Sequence, residues 1–104
     1  MTDNAILTRP TGGSGISASV VGLGTWAIGG WMWGGTDERQ SIAAIQASID
    51  AGISLIDTAP AYGMGLAETI VGKAIAGRRD KVVLVTKCGL VWHVNEGAYF
   101  FHQD

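Results

Sequence analysis

The clearest periodicity in the chain lies between residues 37 and 52, where Ile42, Ile45 and Ile49 recur at spacings of three and four with alanines between them. That spacing lines up one face of a helix. Asp37 followed by Gln40 resembles a capping box ahead of that face, and Gly52 supplies a C-terminal stop. The period then changes. Residues 53–57 carry Ile53, Leu55 and Ile56 and end abruptly on Asp57. This run is too uniformly apolar for a half-exposed strand and predicts a parallel one covered on both faces. A second helix is expected over 66–76, with Ile70, Val71, Ala74 and Ile75 inward and Gly77 as its stop. Residues 81–87, Lys-Val-Val-Leu-Val-Thr-Lys, read as the next strand.

The flanks are less regular. Residues 5–18 predict a short hairpin that starts at Ala5-Ile6-Leu7 and turns through Gly12-Gly13-Ser14-Gly15. Residues 19–24 form a strand running into glycine. From 25 to 36 no period holds, and Trp26, Trp31 and Trp33 sit among four glycines in a loop rich in aromatic surface. Residues 90–101 predict another hairpin, turning near Asn95-Glu96-Gly97. Strands alternating with helices imply βαβ units and a parallel sheet. All its strands point one way, so Gly24, Asp57 and Lys87 are expected at one carboxyl rim, where α/β architectures keep their sites.

Composition narrows the possible partners. A chain of 104 residues, 47% hydrophobic, suffices for one small domain with a core. Charged residues make up 15% and the net charge is −2, without a basic patch, so nucleic acid and anionic membrane are not expected partners. No run approaches the ~18 apolar residues of a membrane span. The first residues carry neither a basic nor an apolar signal region, and the single cysteine fits a reducing compartment, so a soluble cytoplasmic chain is expected. Cys88 reads as a small buried hydrophobe. His93 and His102 lack metal-ligand spacing and are expected to be exposed, so no metal site is expected. Sixteen glycines, about twice the ~7% average share, suggest short connections and close backbone approach.

An apolar strand ending in a carboxylate needs a cation, because an unpaired buried charge is costly. The strand over 81–87 ends on one, Lys87. Neighbouring strands lie ~4.8 Å apart, so Asp57 and Lys87 can pair directly if their strands are adjacent. Tyr62, presented by the turn after Asp57, completes the set. A phenol titrates near ~10 when unperturbed, and a nearby ammonium favours its phenolate and eases proton donation. A tyrosine acid, a lysine tuning it and an aspartate holding the lysine suit carbonyl reduction, in which an oxygen gains negative charge and needs a proton. The hydride would come from a nicotinamide.

Gly22-Leu23-Gly24-Thr25-Trp26, Leu55-Ile56-Asp57-Thr58-Ala59-Pro60-Ala61-Tyr62-Gly63, Val71-Gly72-Lys73-Ala74-Ile75 and Val85-Thr86-Lys87 follow in this order. Over residues 16–92 they resemble the N-terminal part of an aldo-keto reductase, and the Trp/Gly loop is more similar to bacterial and plant members than to the aldose-reductase branch. The resemblance implies an α/β fold of the (β/α)8 TIM-barrel family, which typically needs ~250 residues. Residues 1–104 would form one partial barrel: the N-terminal hairpin, the first three barrel strands with their helices, and a following hairpin. The resemblance further implies NADPH, with NADH possible, and a small carbonyl or alcohol substrate. Asp57, Tyr62 and Lys87 would be catalytic. Thr25, Trp26 and Asp57 would adjoin the cofactor, and Trp31, Trp33 and Tyr62 the substrate. A histidine completing the tetrad and the phosphate-binding loops would come from later strands. The chain is therefore expected to be an inactive N-terminal fragment whose open sheet edge and uncovered apolar faces favour self-association. The family's common serine is replaced here by Ala67, at the start of the second helix.

Two other readings are open to the residues. One is a non-catalytic folding or interaction fragment. The other is a Rossmann-type dinucleotide site at Gly22-x-Gly24-x-x-Ala27, which needs a helix beginning near Thr25. Ile28-Gly29-Gly30-Trp31-Met32-Trp33-Gly34-Gly35 follows instead, and that stretch does not suit such a helix.

Overall fold

The computed structural model describes residues 6–30, 34–95 and 98–103. Its first element is an antiparallel hairpin, β1 (Thr8–Pro10) on β2 (Ser17–Ser19), with Thr8 opposite Ser19. The hairpin begins later than the pattern over 5–7 suggested, and Ala5 lies outside the described residues. The single strand expected over 19–24 is split. Buried Ser19 accepts hydrogen bonds from the Ser54 and Leu55 amides at 2.9 and 3.1 Å, and its hydroxyl donates to the Val21 carbonyl. These bonds end β2 there, and β3 (Gly22–Gly24) begins a second sheet.

That sheet is parallel, in the order β3, β4 (Leu55–Asp57), β5 (Val83–Val85). Its register sets Gly22, Leu55 and Val83 in one row and Gly24, Asp57 and Val85 in the row at the carboxyl rim. The connections are α1 (Glu38–Asp50) and α2 (Leu66–Ile75). Asp37 caps α1 by accepting from the Gln40 amide at 2.9 Å. The same helix ends in a Schellman motif: the Gly52 amide donates to Ile49, the Ile53 amide donates to Ser48, and Gly52 takes φ +105°. At the start of α2 the cap is Gly65 in the left-handed region, without a side-chain bond, and Ala67 is fully buried.

Ile45, Ile49, Ile56, Ile70, Val71, Ala74, Ile75 and Val82 form one core cluster, with Leu23, Ile28 and Ile42 packed against it. Its helical members, Ile42, Ile45, Ile49, Ile70, Val71, Ala74 and Ile75, are the inward set that the helical periods predict. The expectation that the 53–57 strand would be covered on both faces holds for one face only. Ile56 is fully buried in the core cluster, whereas Leu55 and Asp57, on the opposite face, are only half-buried. Among the described residues both helices pack on the Ile56 side, and the β5 edge leaves Leu84 and Val85 exposed.

The strand read over 81–87 is also shorter than expected. Residues Arg79–Lys81 form a 3-10 turn, with the Lys81 amide donating to Arg78, and the Arg79 guanidinium donates to the Val82 carbonyl at 2.8 Å. Thr86 leaves the ladder to donate to Glu68 of α2 at 2.6 Å. Lys87 follows it past the end of β5. The chain then enters the expected second hairpin, β6 (Leu90–Asn95) on β7 (Ala98–Gln103), with Asn95 opposite Ala98. Glu96 and Gly97 lie outside the described residues. No helix among the described residues is long and apolar enough to cross a membrane.

Ile56→Ala leaves a cavity under both helices and is expected to cost about 2–5 kcal/mol, read as a fall in the urea midpoint. Ile16→Ala, at a position 49% exposed, is expected to stay within ~0.5 kcal/mol of wild type. Equal losses at both positions would contradict this placement of the core.

Candidate active site

Two bonds and a neighbouring strand fix the end of β4. The Asp57 carbonyl accepts from both the amide and the hydroxyl of Thr25, at 3.1 and 3.0 Å. The next amide, of Thr58, donates to the Val85 carbonyl at 2.8 Å. The Asp57 side chain is thereby held at the rim, and Lys87 reaches it from beyond β5. The Lys87 ammonium donates to Asp57 Oδ1 and Oδ2 at 2.9 and 3.0 Å, to the Thr58 carbonyl at 3.1 Å and to the Tyr62 hydroxyl at 3.0 Å.

An ammonium has three hydrogens. The carboxylate, the Thr58 carbonyl and the phenol oxygen use all of them. Because the phenol oxygen accepts from Lys87, its own hydrogen is directed elsewhere. The hydrogen bond to Tyr62 is the main cause that raises the Lys87 pKa above its ordinary 10.5; desolvation opposes it, and the hydrogen bond and charge of Asp57 add to it. Lys87 is thus a cation throughout the neutral range.

Burial does not drive the pairing. The Lys87 and Asp57 side chains are 49% and 41% exposed, so the unpaired-charge penalty expected for a covered strand applies only weakly. An ion pair this open contributes about 0–1 kcal/mol. Its geometry matters more to the site than to the fold.

Tyr62 is anchored on both sides. Its amide donates to the Ala59 carbonyl and its carbonyl accepts from the Ala67 amide, each at 3.1 Å. The phenol ring stacks near Trp26, with centroids 6.4 Å apart and planes 29° from parallel, and Lys87 Nζ lies 4.7 Å from the ring centroid. A concavity of about 80 Å³ adjoins them, lined by Tyr62 and Lys87 together with Ala59, Pro60, Ala61, Cys88 and Leu90.

The sequence-predicted set is therefore partly assembled. Asp57, Tyr62 and Lys87 meet at one rim with Trp26 beside them. Thr25, expected beside the cofactor, is fully buried with its hydroxyl committed to the Asp57 carbonyl. Trp31 and Trp33 lie outside the described residues. Cys88 corrects its expectation: it is exposed, because the chain beyond β5 has left the sheet for the rim. His93 is exposed as expected, and the His102 side chain is outside the described set. In place of the helix that a Rossmann site needs, Ala27–Gly29 form a three-residue 3-10 turn closed by left-handed Gly30, so that reading is overturned.

Sequence reasoning missed two partners. The Thr58 carbonyl, as a backbone group, left no signal. The Thr25 clamp had a faint one, since Thr25 directly follows the residue expected at the rim beside Asp57.

The model of the aldo/keto reductase family matches residues 20–100. The chain belongs to this family. Aldo-keto reductase YhdN of Bacillus subtilis is 64% identical over 85 residues, covering 80% of this chain and 26% of that protein. The NADH-specific methylglyoxal reductase of Escherichia coli is 48% identical over 94 residues, covering 88% of this chain and 28% of that protein. The chain thus spans about a quarter of the length of these curated relatives.

Among solved structures, the glycerol dehydrogenase AKR11B4 from Gluconobacter oxydans superposes with a TM-score of 0.79 at 47% identity, over 93% of this chain and 30% of that one. An aldo-keto reductase from Klebsiella pneumoniae in complex with NADPH gives 0.63 at 40% identity, over 85% and 28%. The fold is accordingly that of the (β/α)8 aldo-keto reductase barrels, represented here by the N-terminal hairpin and the first three barrel strands.

The raised Lys87 pKa carries a sign. Whatever stability Lys87 contributes is fully present below 10.5 and is lost as pH rises through its higher folded value. The gap in unfolding free energy between wild type and Lys87→Met is expected to stay constant from pH 7 to 9 and to close above 10.5. A gap that closes already between pH 7 and 9 would contradict the contact with Tyr62.

Proposed function

We propose that this segment supplies the proton-donating half of an NAD(P)H-dependent carbonyl reductase, with Tyr62 as acid, Lys87 stabilising its anion and Asp57 orienting Lys87. The observation that carries the reading is the saturated ammonium. With all three Lys87 hydrogens engaged, Tyr62 remains the group with a hydrogen to give, beside an apolar concavity where a small carbonyl compound fits.

The residues present also suit the reactive end of a nicotinamide. Trp26 is half-exposed beside the phenol, and apolar Ala59, Pro60 and Leu90 line the adjoining concavity, so a flat ring meets apolar surface next to a proton donor. Trp26 and Tyr62 would hold it, while Thr25 acts from behind by fixing Asp57. When bound, reduced nicotinamide supplies the hydride to the carbonyl carbon. The carbonyl electron pair then moves onto oxygen, which takes the Tyr62 proton. Lys87, 3.0 Å from the phenol oxygen, meets the negative charge left there, and Asp57 keeps the ammonium in place as that charge appears. NADPH, with NADH possible, is the proposed cofactor, supported by the NADPH complex from Klebsiella and by the NADH-specific relative. The latter's name, a methylglyoxal reductase, supports small aldehydes and ketones as the proposed substrates.

For the chain by itself a second reading has its own observation. Residues 1–104 are taken as one partial barrel domain, and among the described residues Leu84 and Val85 lie exposed on β5, the edge strand of the parallel sheet, with Leu90 and Val94 exposed on β6 of the following hairpin. An apolar sheet edge of this kind pairs readily with another copy. The isolated chain is expected to sediment as oligomers and to reduce no carbonyl with NADPH or NADH. A sharp melting transition of a monomer together with turnover would defeat that expectation.

The catalytic reading is tested where the rest of a barrel is supplied, by exchanging these residues into the Bacillus subtilis relative. There Tyr62→Phe is expected to lower kcat about 10²–10⁴-fold while cofactor affinity barely changes. Undiminished kcat would remove Tyr62 as the acid.

A further inference from the structure

Two glycines at the site meet main chain to main chain. Gly29 ends the 3-10 turn after β3, and Gly63 follows Tyr62. A Cβ on Gly29 would sit 2.6 Å from both the Gly63 nitrogen and the Tyr62 carbonyl carbon, and 2.8 Å from the Tyr62 oxygen. A Cβ on Gly63 would run into the Gly29 carbonyl and lie 2.7 Å from the Gly29 Cα. Real Cβ atoms essentially never come within 3.0 Å of such neighbours, and the obstructing atoms are backbone on both sides, so no rotamer can relieve the clash. Gly29 does not occupy the left-handed region, so its requirement is closeness alone. Gly24, at the same rim, has nothing within 4 Å of a built Cβ.

The stretch after Tyr62 gives a reason for such a contact. Gly63, Met64 and Gly65 lie successively at φ +65°, +55° and +97°. Glycines at two of these three positions make the turn permissive rather than stiff. A hydrogen bond of 3.0 Å from Lys87 to the phenol, however, tolerates only a few tenths of an ångström of displacement.

We propose that the Gly29–Gly63 contact is a positioning latch, in which the loop after β3 braces the Tyr62 main chain and so sets the phenol against Lys87. Gly29 and Gly63 are positioning residues. The catalytic consequence rests on Tyr62 being the proton donor; the bracing itself does not. The latch also ties the Tyr62 turn to the loop carrying Trp26, so the two walls of the site move together.

The test uses the full 104-residue chain and reads Lys87 directly. Competitive acetylation at pH 9 with acetic anhydride, followed by peptide mass spectrometry, gives the Lys87 rate relative to exposed Lys81, and variants are compared at a concentration where sedimentation shows the same state of association. In wild type Lys87 is expected to react more slowly than Lys81. Tyr62→Phe, which removes the contact, is expected to raise the relative rate severalfold, because losing that hydrogen bond lets the Lys87 pKa fall back towards its ordinary value. Gly29→Ala is expected to match it and Gly24→Ala to leave it unmoved.

If Tyr62→Phe raises the rate and Gly29→Ala does not, the latch is overturned and the proton-donor reading stands. If Tyr62→Phe changes nothing, the contact is absent and both fall. Should Gly29→Ala lose its helix signal in circular dichroism, Met64→Gly decides, since glycine adopts φ +55° more easily than methionine. With the latch in place Lys87 keeps its wild-type rate in that variant. A raised rate would show that local turn stiffness, and not the latch, holds Tyr62.

Discussion

An ammonium group can satisfy three acceptors at once, and the site is arranged around the way Lys87 spends its three hydrogens. One goes to the Asp57 carboxylate, one to the Thr58 carbonyl and one to the Tyr62 hydroxyl. The acceptors come from the last residue of β4 and from the loop that follows it, so one side chain from beyond β5 ties together a strand end, a backbone turn and a phenol. The two strands are adjacent in the sheet, which brings these groups within reach of one another.

Supports for that ammonium reach back into the fold. Thr25, directly after β3, uses its amide and hydroxyl to hold the Asp57 carbonyl, while Thr86 donates to Glu68 of α2 immediately before Lys87. The core of Ile45, Ile49, Ile56, Ile70 and Val71 presses the helices on one face of the sheet and leaves the rim free. Stability and site geometry are thus separated in space: apolar burial holds the strands, and the half-exposed polar rim adds little to stability while fixing the position of the Tyr62 phenol.

Much of this was legible in the residues. The isoleucine spacing and Asp37–Gln40 marked α1, and the uniform run ending in Asp57 marked a parallel strand. The meeting of Asp57, Lys87 and Tyr62 followed from strand adjacency. The errors share one cause, which is that partners across space decide where a strand ends and which face is covered. Ser19 bonds to Ser54 and Leu55 and cuts one predicted strand in two. Thr86 turns to Glu68 and shortens another. Cys88 is exposed because the chain has left the sheet before reaching it.

By itself the sequence determined the order of strands and helices, the inward faces and the identity of the rim residues, because periodicity, caps and strand-end charges are local properties. Only the tertiary structure decided how those residues are held: the Thr58 carbonyl as the third acceptor of Lys87, the burial of Thr25 behind Asp57, and the approach of Gly29 to Gly63. Each depends on backbone groups far apart in the chain coming within contact distance, and a backbone carbonyl or a glycine Cα has no side chain through which a sequence could announce it.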